Sequence, residues 1–204
     1  MLPTGSSADL EEVRAALVDV AVDAERASAV IERVRALARR SPPERERVQL
    51  ADVVADVVLL AARELAVRHV TIRRDAVSPS LAVLGDRVQL QQVLLNLVVN
   101  GMDAMMALDE EERLLEISAC PEALEGRPGA TIRVRDRGVG LTSTEMDRVF
   151  EPFYTTKPNG MGMGLAISRS IIEAHGGRMW AEPNTGPGAT FAFMLYAAET
   201  GVGL

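Results

Sequence analysis

Residues 134–168 read VRDRGVGLTSTEMDRVFEPFYTTKPNGMGMGLAIS, a stretch punctuated by two glycine clusters. Just upstream, Thr131, Ile132 and Val134 belong to an apolar alternating run that predicts a strand. Asp136 falls at that strand's end, directly before Gly138 and Gly140. A buried carboxylate in such a place can accept a hydrogen bond from an exocyclic amine of the kind adenine carries. Glycines beside it lack a Cβ, so the backbone can approach a ligand closely. Farther on, Gly160, Gly162 and Gly164 alternate with methionines and lead into Leu165, Ala166, Ile167, Ile171 and Ile172, a helical pattern. That arrangement leaves backbone N–H groups free at a helix N-terminus, a ready site for phosphate.

Glycine clusters also make plain turns, so neither is decisive alone. The companion is LQQVLLNLVVNGMDAM, residues 90–105. Its apolar periodicity predicts a helix, on which Asn96 and Asn100, four apart, share one face with Asp103. Two amides and an acid along one face of an otherwise apolar helix either sit half-exposed or meet something polar.

Together these segments resemble the ATP-binding domain of sensor histidine kinases, in the superfamily that also holds type II topoisomerases, heat-shock chaperones and mismatch-repair ATPases. Asn96 to Asp103 looks like that family's N box, Asp136 to Gly140 its G1 box, Phe150 to Phe153 its F box and Gly160 to Gly164 its G2 box, in the family's order. The resemblance spans about residues 48–196 and extends weakly over an N-terminal helix.

Composition fits a domain with a helical appendage. A formal net charge of −7 argues against nonspecific nucleic-acid binding, although Arg33, Arg35, Arg39 and Arg40 cluster, as on a solvated helix face. The single cysteine, Cys120, excludes an intramolecular disulfide and a cysteine-rich zinc site; it reads as a small residue at a strand end in a reducing, cytoplasmic setting. Asp56 and Glu64 interrupt the best apolar run before it reaches the roughly 18 to 20 residues of a membrane span, so no membrane contact is expected. No secretory leader is evident either.

In chain order, residues 1–8 read as a linker. Residues 9–40 read as a helix opened by Asp9 with Glu12 and closed by Ser41-Pro42-Pro43. Leu10, Val13, Leu17, Val20, Ala24, Ala27, Ile31, Val34 and Ala38 recur at spacings of three and four, a heptad seam that requires a partner helix and predicts a homodimer through residues 10–38. Residues 41–47 form a linker, 48–196 the globular domain and 197–204 a tail. Within the domain, Leu50, Val53, Val54, Val57, Val58, Ala61 and Leu65 give a helical face, VTIRR and LAVL give strands, and Asp86 caps the helix that buries Val88, Leu90, Val93, Leu94, Leu97 and Val98. Strands are expected around Leu114 to Ala119 and Ala130 to Arg135, joined by a Pro-, Glu- and Gly-rich loop. There follow a helix capped by Thr142 with Glu145, the helix from Leu165, and strands over Arg178 to Ala181 and Ala189 to Tyr196. Interleaved helices and antiparallel pairs imply an α/β fold, a two-layer sandwich with a mixed sheet.

The resemblance implies ATP and Mg²⁺ as cofactors. It assigns the metal to Asn100, adenine to Asp136 with Gly138 and Gly140, and the phosphates to the region of Asn96, Asp103, Gly160, Gly162, Gly164 and Leu165. Thr155, Thr156 and Lys157 fall where a lid closes over the phosphates in that family. Lys157 could pair with a γ-phosphate oxygen or be an ordinary exposed loop lysine. Phe150 and Phe153 are expected to anchor the lid as core, and Met161 and Met163 to pack it when closed. Asn96 occupies a position that is a water-activating glutamate in ATP-hydrolysing relatives, and an amide cannot act as a general base, so transfer to another nucleophile is expected over hydrolysis.

The acceptor implied is a histidine on the first helix of a dimerisation hairpin, of which residues 9–40 resemble the second helix; a response-regulator receiver domain would follow as partner. Neither His69, followed by Val70, nor His175, before Gly176 and Gly177, has the acidic neighbour of that acceptor, and both read as structural. Two alternatives stay open: a protein-serine kinase or ATPase of the same superfamily, and a nucleotide-gated dimerisation module.

Overall fold

The structure, a computed structural model, describes residues 45–124, 126–157 and 160–198. All fall in the second of two units into which the chain divides, Pro43–Leu204. The heptad seam over 10–38 and the arginines at 33–40 lie outside the described residues.

Among the described residues, seven strands and four α-helices follow in the order β1 (Glu46–Gln49), α1 (Leu50–Val67), β2 (Thr71–Val77), β3 (Ala82–Gly85), α2 (Arg87–Ala104), β4 (Leu114–Leu124), β5 (Arg127–Arg135), α3 (Ser143–Arg148), α4 (Gly164–Ala174), β6 (Arg178–Pro183) and β7 (Ala189–Tyr196). The main sheet runs β2-β4-β5-β7-β6; β2 and β4 are parallel and the other pairs antiparallel. It is a mixed sheet in a two-layer α/β sandwich, as the sequence predicts.

Alternation decides which sheet face receives the helices. Leu115, Ile117 and Ala119 of β4, Ala130, Ile132 and Val134 of β5, and Phe191, Phe193 and Leu195 of β7 are buried in one core with Leu90, Val93, Leu94, Leu97 and Val98 of α2. Each apolar side chain so buried contributes on the order of 1.5 to 3 kcal/mol. The other face is polar: Glu116 pairs with Arg73 and faces Arg135. Helix α2 packs against both α1 and α4. Asp86 caps it, Oδ1 accepting from the N–H groups of Val88 (2.9 Å) and Gln89 (3.1 Å).

Four local expectations are corrected. β1 lies partly in the stretch read as a linker; it pairs antiparallel with β3 in a separate two-stranded sheet, with Glu46 opposite Gly85 and Gln49 opposite Ala82. The Pro-, Glu- and Gly-rich loop is mostly strand, since β4 continues to Leu124 and β5 starts at Arg127. Cys120 therefore sits within a strand, opposite Thr131, not at its end. Val88 is 65% exposed, because it lies on the side of α2 turned away from the fully buried Leu90 and Leu97.

Candidate functional site

The polar face of α2 meets polar partners. Asn96 Nδ2 donates to Ser168 Oγ of α4 at 3.0 Å. One turn along, Asn100 Oδ1 accepts from the Lys157 ammonium at 3.0 Å, and Asp103 Oδ2 accepts from the same nitrogen at 2.5 Å. Asp103 Oδ1 is paired with Arg68, which also holds Glu64. Lys157 thus ties the loop between α3 and α4 back to α2.

Asp136 lies just beyond β5 and is 2% exposed. Its Oδ1 accepts from the N–H groups of Gly138 (2.8 Å) and Ala189 (3.3 Å). Burial pushes its carboxyl above the ordinary value of 3.8, and those backbone bonds pull it partly back. Asn184 braces the turn by donating to the Asp136 carbonyl at 2.9 Å, while its own Oδ1 accepts from Thr190. Gly138 is required by packing: a Cβ there would strike the Ala104 carbonyl at the end of α2. Gly140 is required by conformation, with φ +71.

Helix α4 begins at Gly164, where a Cβ would come within 2.6 Å of Asn96 Oδ1. That glycine lets the helix N-terminus approach the asparagine face. Gly162 has φ +64, and its carbonyl accepts from the Phe153 N–H at 3.0 Å, closing the loop upon itself. Gly160 stands against Thr155, whose Oγ1 accepts from the Lys157 N–H at 3.1 Å. Thr156 is exposed, and Leu165 is half-buried against the core.

Phe150 is buried edge-on against Phe191, centroids 6.3 Å apart, but Phe153 is 75% exposed. The expectation that both phenylalanines anchor the loop is corrected: Phe153 holds it by its backbone, at φ 68. Met161 is 40% exposed and Met163 half-buried at the helix cap.

Ser168, Arg68, Asn184 and Ala189 escaped sequence reasoning. Only Ser168 carried a signal, four residues after Gly164 and so above it on one helical face. His175 has a closed structural role: Nδ1 lies 2.8 Å from the Ile171 carbonyl and Nε2 accepts from the Asp86 N–H at 3.0 Å. Accepting at Nε2 requires a proton on Nδ1, which fixes the neutral tautomer.

The donor set fits a hard cation. An amide and a carboxylate oxygen already converge on one positive charge at Lys157. Among the described residues no three His, Cys, Asp or Glu side chains cluster to hold a metal by themselves. A divalent ion at Asn100 would therefore draw most of its oxygens from phosphate and water, as Mg²⁺ commonly does. The buried Asp136 and the close-packed glycines fit a nucleotide in the same way. Among the described residues, no helix is long and apolar enough to cross a membrane.

The family described as histidine kinase-, DNA gyrase B- and HSP90-like ATPase matches residues 85–199. The sensor protein FixL of Bradyrhizobium diazoefficiens is 38% identical over 199 residues, covering 98% of this chain and 38% of that protein. The sensor histidine kinase TmoS of Ectopseudomonas mendocina is 34% identical over 183 residues, covering 90% of this chain and 19% of that protein. The chain thus spans well under half the length of these relatives. Among solved structures, the catalytic domain of histidine kinase ThkA superposes with a TM-score of 0.63 at 28% identity, covering 75% of this chain and 95% of that one. Full-length ShkA in complex with AMPPNP superposes with a TM-score of 0.75 at 23% identity, covering 97% of this chain and 40% of that one, which speaks to the fold alone.

Proposed function

This chain belongs to the histidine kinase-, DNA gyrase B- and HSP90-like ATPase family, as an ATP-binding catalytic domain of the sensor histidine kinase type, and on that premise we propose that it transfers the γ-phosphate of Mg-ATP to a histidine on an adjacent helix. The observation that carries this reading is the polar face of α2, where Asn96, Asn100 and Asp103 all meet partners from α4 and the loop before it.

In this reading Asp136 accepts the adenine amine, using the carboxylate oxygen that the Gly138 and Ala189 N–H groups leave free. Asn100 offers its amide oxygen to Mg²⁺. The backbone N–H groups at the start of α4, from Gly164 and Leu165, face the phosphates, with Gly160 and Gly162 shaping the approach and Thr155 and Thr156 at its rim. When bound, Mg-ATP supplies the electrophilic phosphorus and neutralises its own charge, so the chain's task is positioning and electrostatics. Asn96 is tied to Ser168 and is an amide; it orients but takes no proton from water. Hydrolysis is consequently slow and the nucleotide waits for its acceptor.

The test is incubation with γ-labelled ATP, alone and with a polypeptide carrying the phosphoacceptor helix. Acid-labile label on the supplied helix and none on this chain is expected, since both nitrogens of His175 are engaged in the fold and His69 sits in the turn between α1 and β2, at φ 51, rather than on a helix face. Acid-labile label on the chain alone would contradict the reading. Acid-stable phosphate on a partner serine would instead favour a protein-serine kinase, and binding without transfer a nucleotide-gated module. The seam over residues 10–38 is proposed to pair two copies. Light scattering should show a dimer that Leu17→Glu with Ile31→Glu dissolves while Mg-ATP still binds; a strict monomer at high concentration would refute pairing. A receiver domain is the proposed downstream partner.

A further inference from the structure

Lys157 is the only lysine in the chain; the other 21 cationic side chains are arginines. That single ammonium is held by Asn100 Oδ1 at 3.0 Å and Asp103 Oδ2 at 2.5 Å. The choice of residue is physical. An ammonium is a compact point charge that several oxygens can surround, whereas guanidinium is a planar fork that pairs along its edge. Arginine is used where a fork suffices, even on the same carboxylate: Arg68 takes Asp103 Oδ1. Lysine appears where the partner oxygens form a cation site.

We propose that Lys157 is a built-in stand-in for the divalent cation, occupying its oxygens in the nucleotide-free protein and being displaced when the metal arrives. The proposal rests on the reading above, in which Asn100 takes the metal. An ion that takes the Asn100 Oδ1 lone pair now facing Lys157 sits about 2.0 to 2.1 Å from that oxygen, inside the space the ammonium fills, so the two cations exclude each other. Their repulsion adds to the steric conflict. Arg68 stays on Asp103 throughout, so the carboxylate keeps its orientation when Lys157 leaves. The released ammonium, on the loop that precedes α4, is then free to pair with the triphosphate. Metal entry and lysine release become one exchange, and a divalent ion without nucleotide gains little because it must evict a satisfied charge that has no new partner.

The test uses Mn²⁺ as probe on the nucleotide-free protein at low ionic strength, with free Mn²⁺ read by electron paramagnetic resonance. Lys157→Met, which keeps the unbranched stem of the side chain and removes its ammonium, should bind Mn²⁺ about tenfold tighter than wild type, equivalent to roughly 1.4 kcal/mol. Adding Asp103→Asn should abolish the gain. Arg178→Met, which removes a charge from β6, should leave Mn²⁺ affinity unchanged. Selective ¹³C-lysine labelling of wild type gives one lysine side-chain signal, which should shift in step with binding of diamagnetic Mg²⁺. Equal or weaker Mn²⁺ binding by Lys157→Met, no measurable binding to either protein, or a lysine signal that stays fixed while metal binds would each overturn the proposal. Calorimetry of wild type with Mg-ATP separates the two failures. Absent binding there fails the functional reading itself, whereas intact binding with unchanged Mn²⁺ affinity in Lys157→Met fails only the exchange.

Discussion

Asn96 Nδ2 donates to Ser168 Oγ across 3.0 Å, so one amide joins α2 to α4. The contact is possible because Gly164, one turn before Ser168, carries no Cβ to strike Asn96 Oδ1. Asn96 is thus a brace between the two helices that frame the proposed phosphate site.

Ser168 is 2% exposed, and Ser168→Ala leaves the Asn96 amide without this bond. A loss of roughly 0.5 to 1.5 kcal/mol in unfolding free energy is expected. Gly164→Ala should do more to function, because its Cβ would displace Asn96 and push the α4 N-terminus away. Urea titration measures the first effect, and calorimetry with Mg-ATP shows the second as weakened binding. Wild-type affinity in Gly164→Ala would remove Asn96 and α4 from the phosphate site.

His175 joins the C-terminus of α4 to the N-cap of α2 through the Asp86 N–H. His175→Ala strands that donor beneath a new cavity, at an expected cost of about 2 to 4 kcal/mol. Thermal unfolding checks the loss. Below the lowered midpoint, transfer to a supplied histidine helix should persist; its disappearance in folded protein would give His175 a chemical role.

Asp136 predicts opposite pH trends for binding and for stability. Its carboxyl value in the fold is raised by burial, so the fold favours the protonated form. The group's unfavourable contribution is thus present at neutral pH and is relieved as pH falls through the raised value. Accepting the adenine amine needs the ionised form. Nucleotide affinity should therefore decline on acidification before an ordinary aspartate, at 3.8, would titrate, and the affinity gap between wild type and Asp136→Asn should narrow over the same range. Calorimetry of both proteins across pH, together with urea titrations of wild type, reads both trends. A constant gap down to the ordinary range would contradict the buried-acceptor assignment.

Much of this site was legible because chemistry clashed with pattern. Two asparagines and an aspartate on an apolar helix face, and an aspartate between a strand and glycines, stand out in the sequence and are brought to polar partners or buried in the fold. The caps at Asp86 and Thr142 were equally readable, being local. What escaped was set by distant neighbours. β1 is four residues long and exists because β3 pairs with it, which no local period announces. Phe153 looks like core by composition, yet its positive φ turns the side chain to solvent while its N–H closes the loop on Gly162. Lys157 was readable as a loop lysine or a phosphate partner; only the fold sets it against Asn100 and Asp103.

Asp136 and Asn100 are proposed to hold Mg-ATP together. Isothermal calorimetry on wild type, Asp136→Asn and Asn100→Ala, each first shown folded by thermal unfolding, tests it most directly. Each substitution should weaken Mg-ATP binding by about 1 to 3 kcal/mol, roughly 5- to 150-fold. Either variant binding Mg-ATP as tightly as wild type would contradict the account.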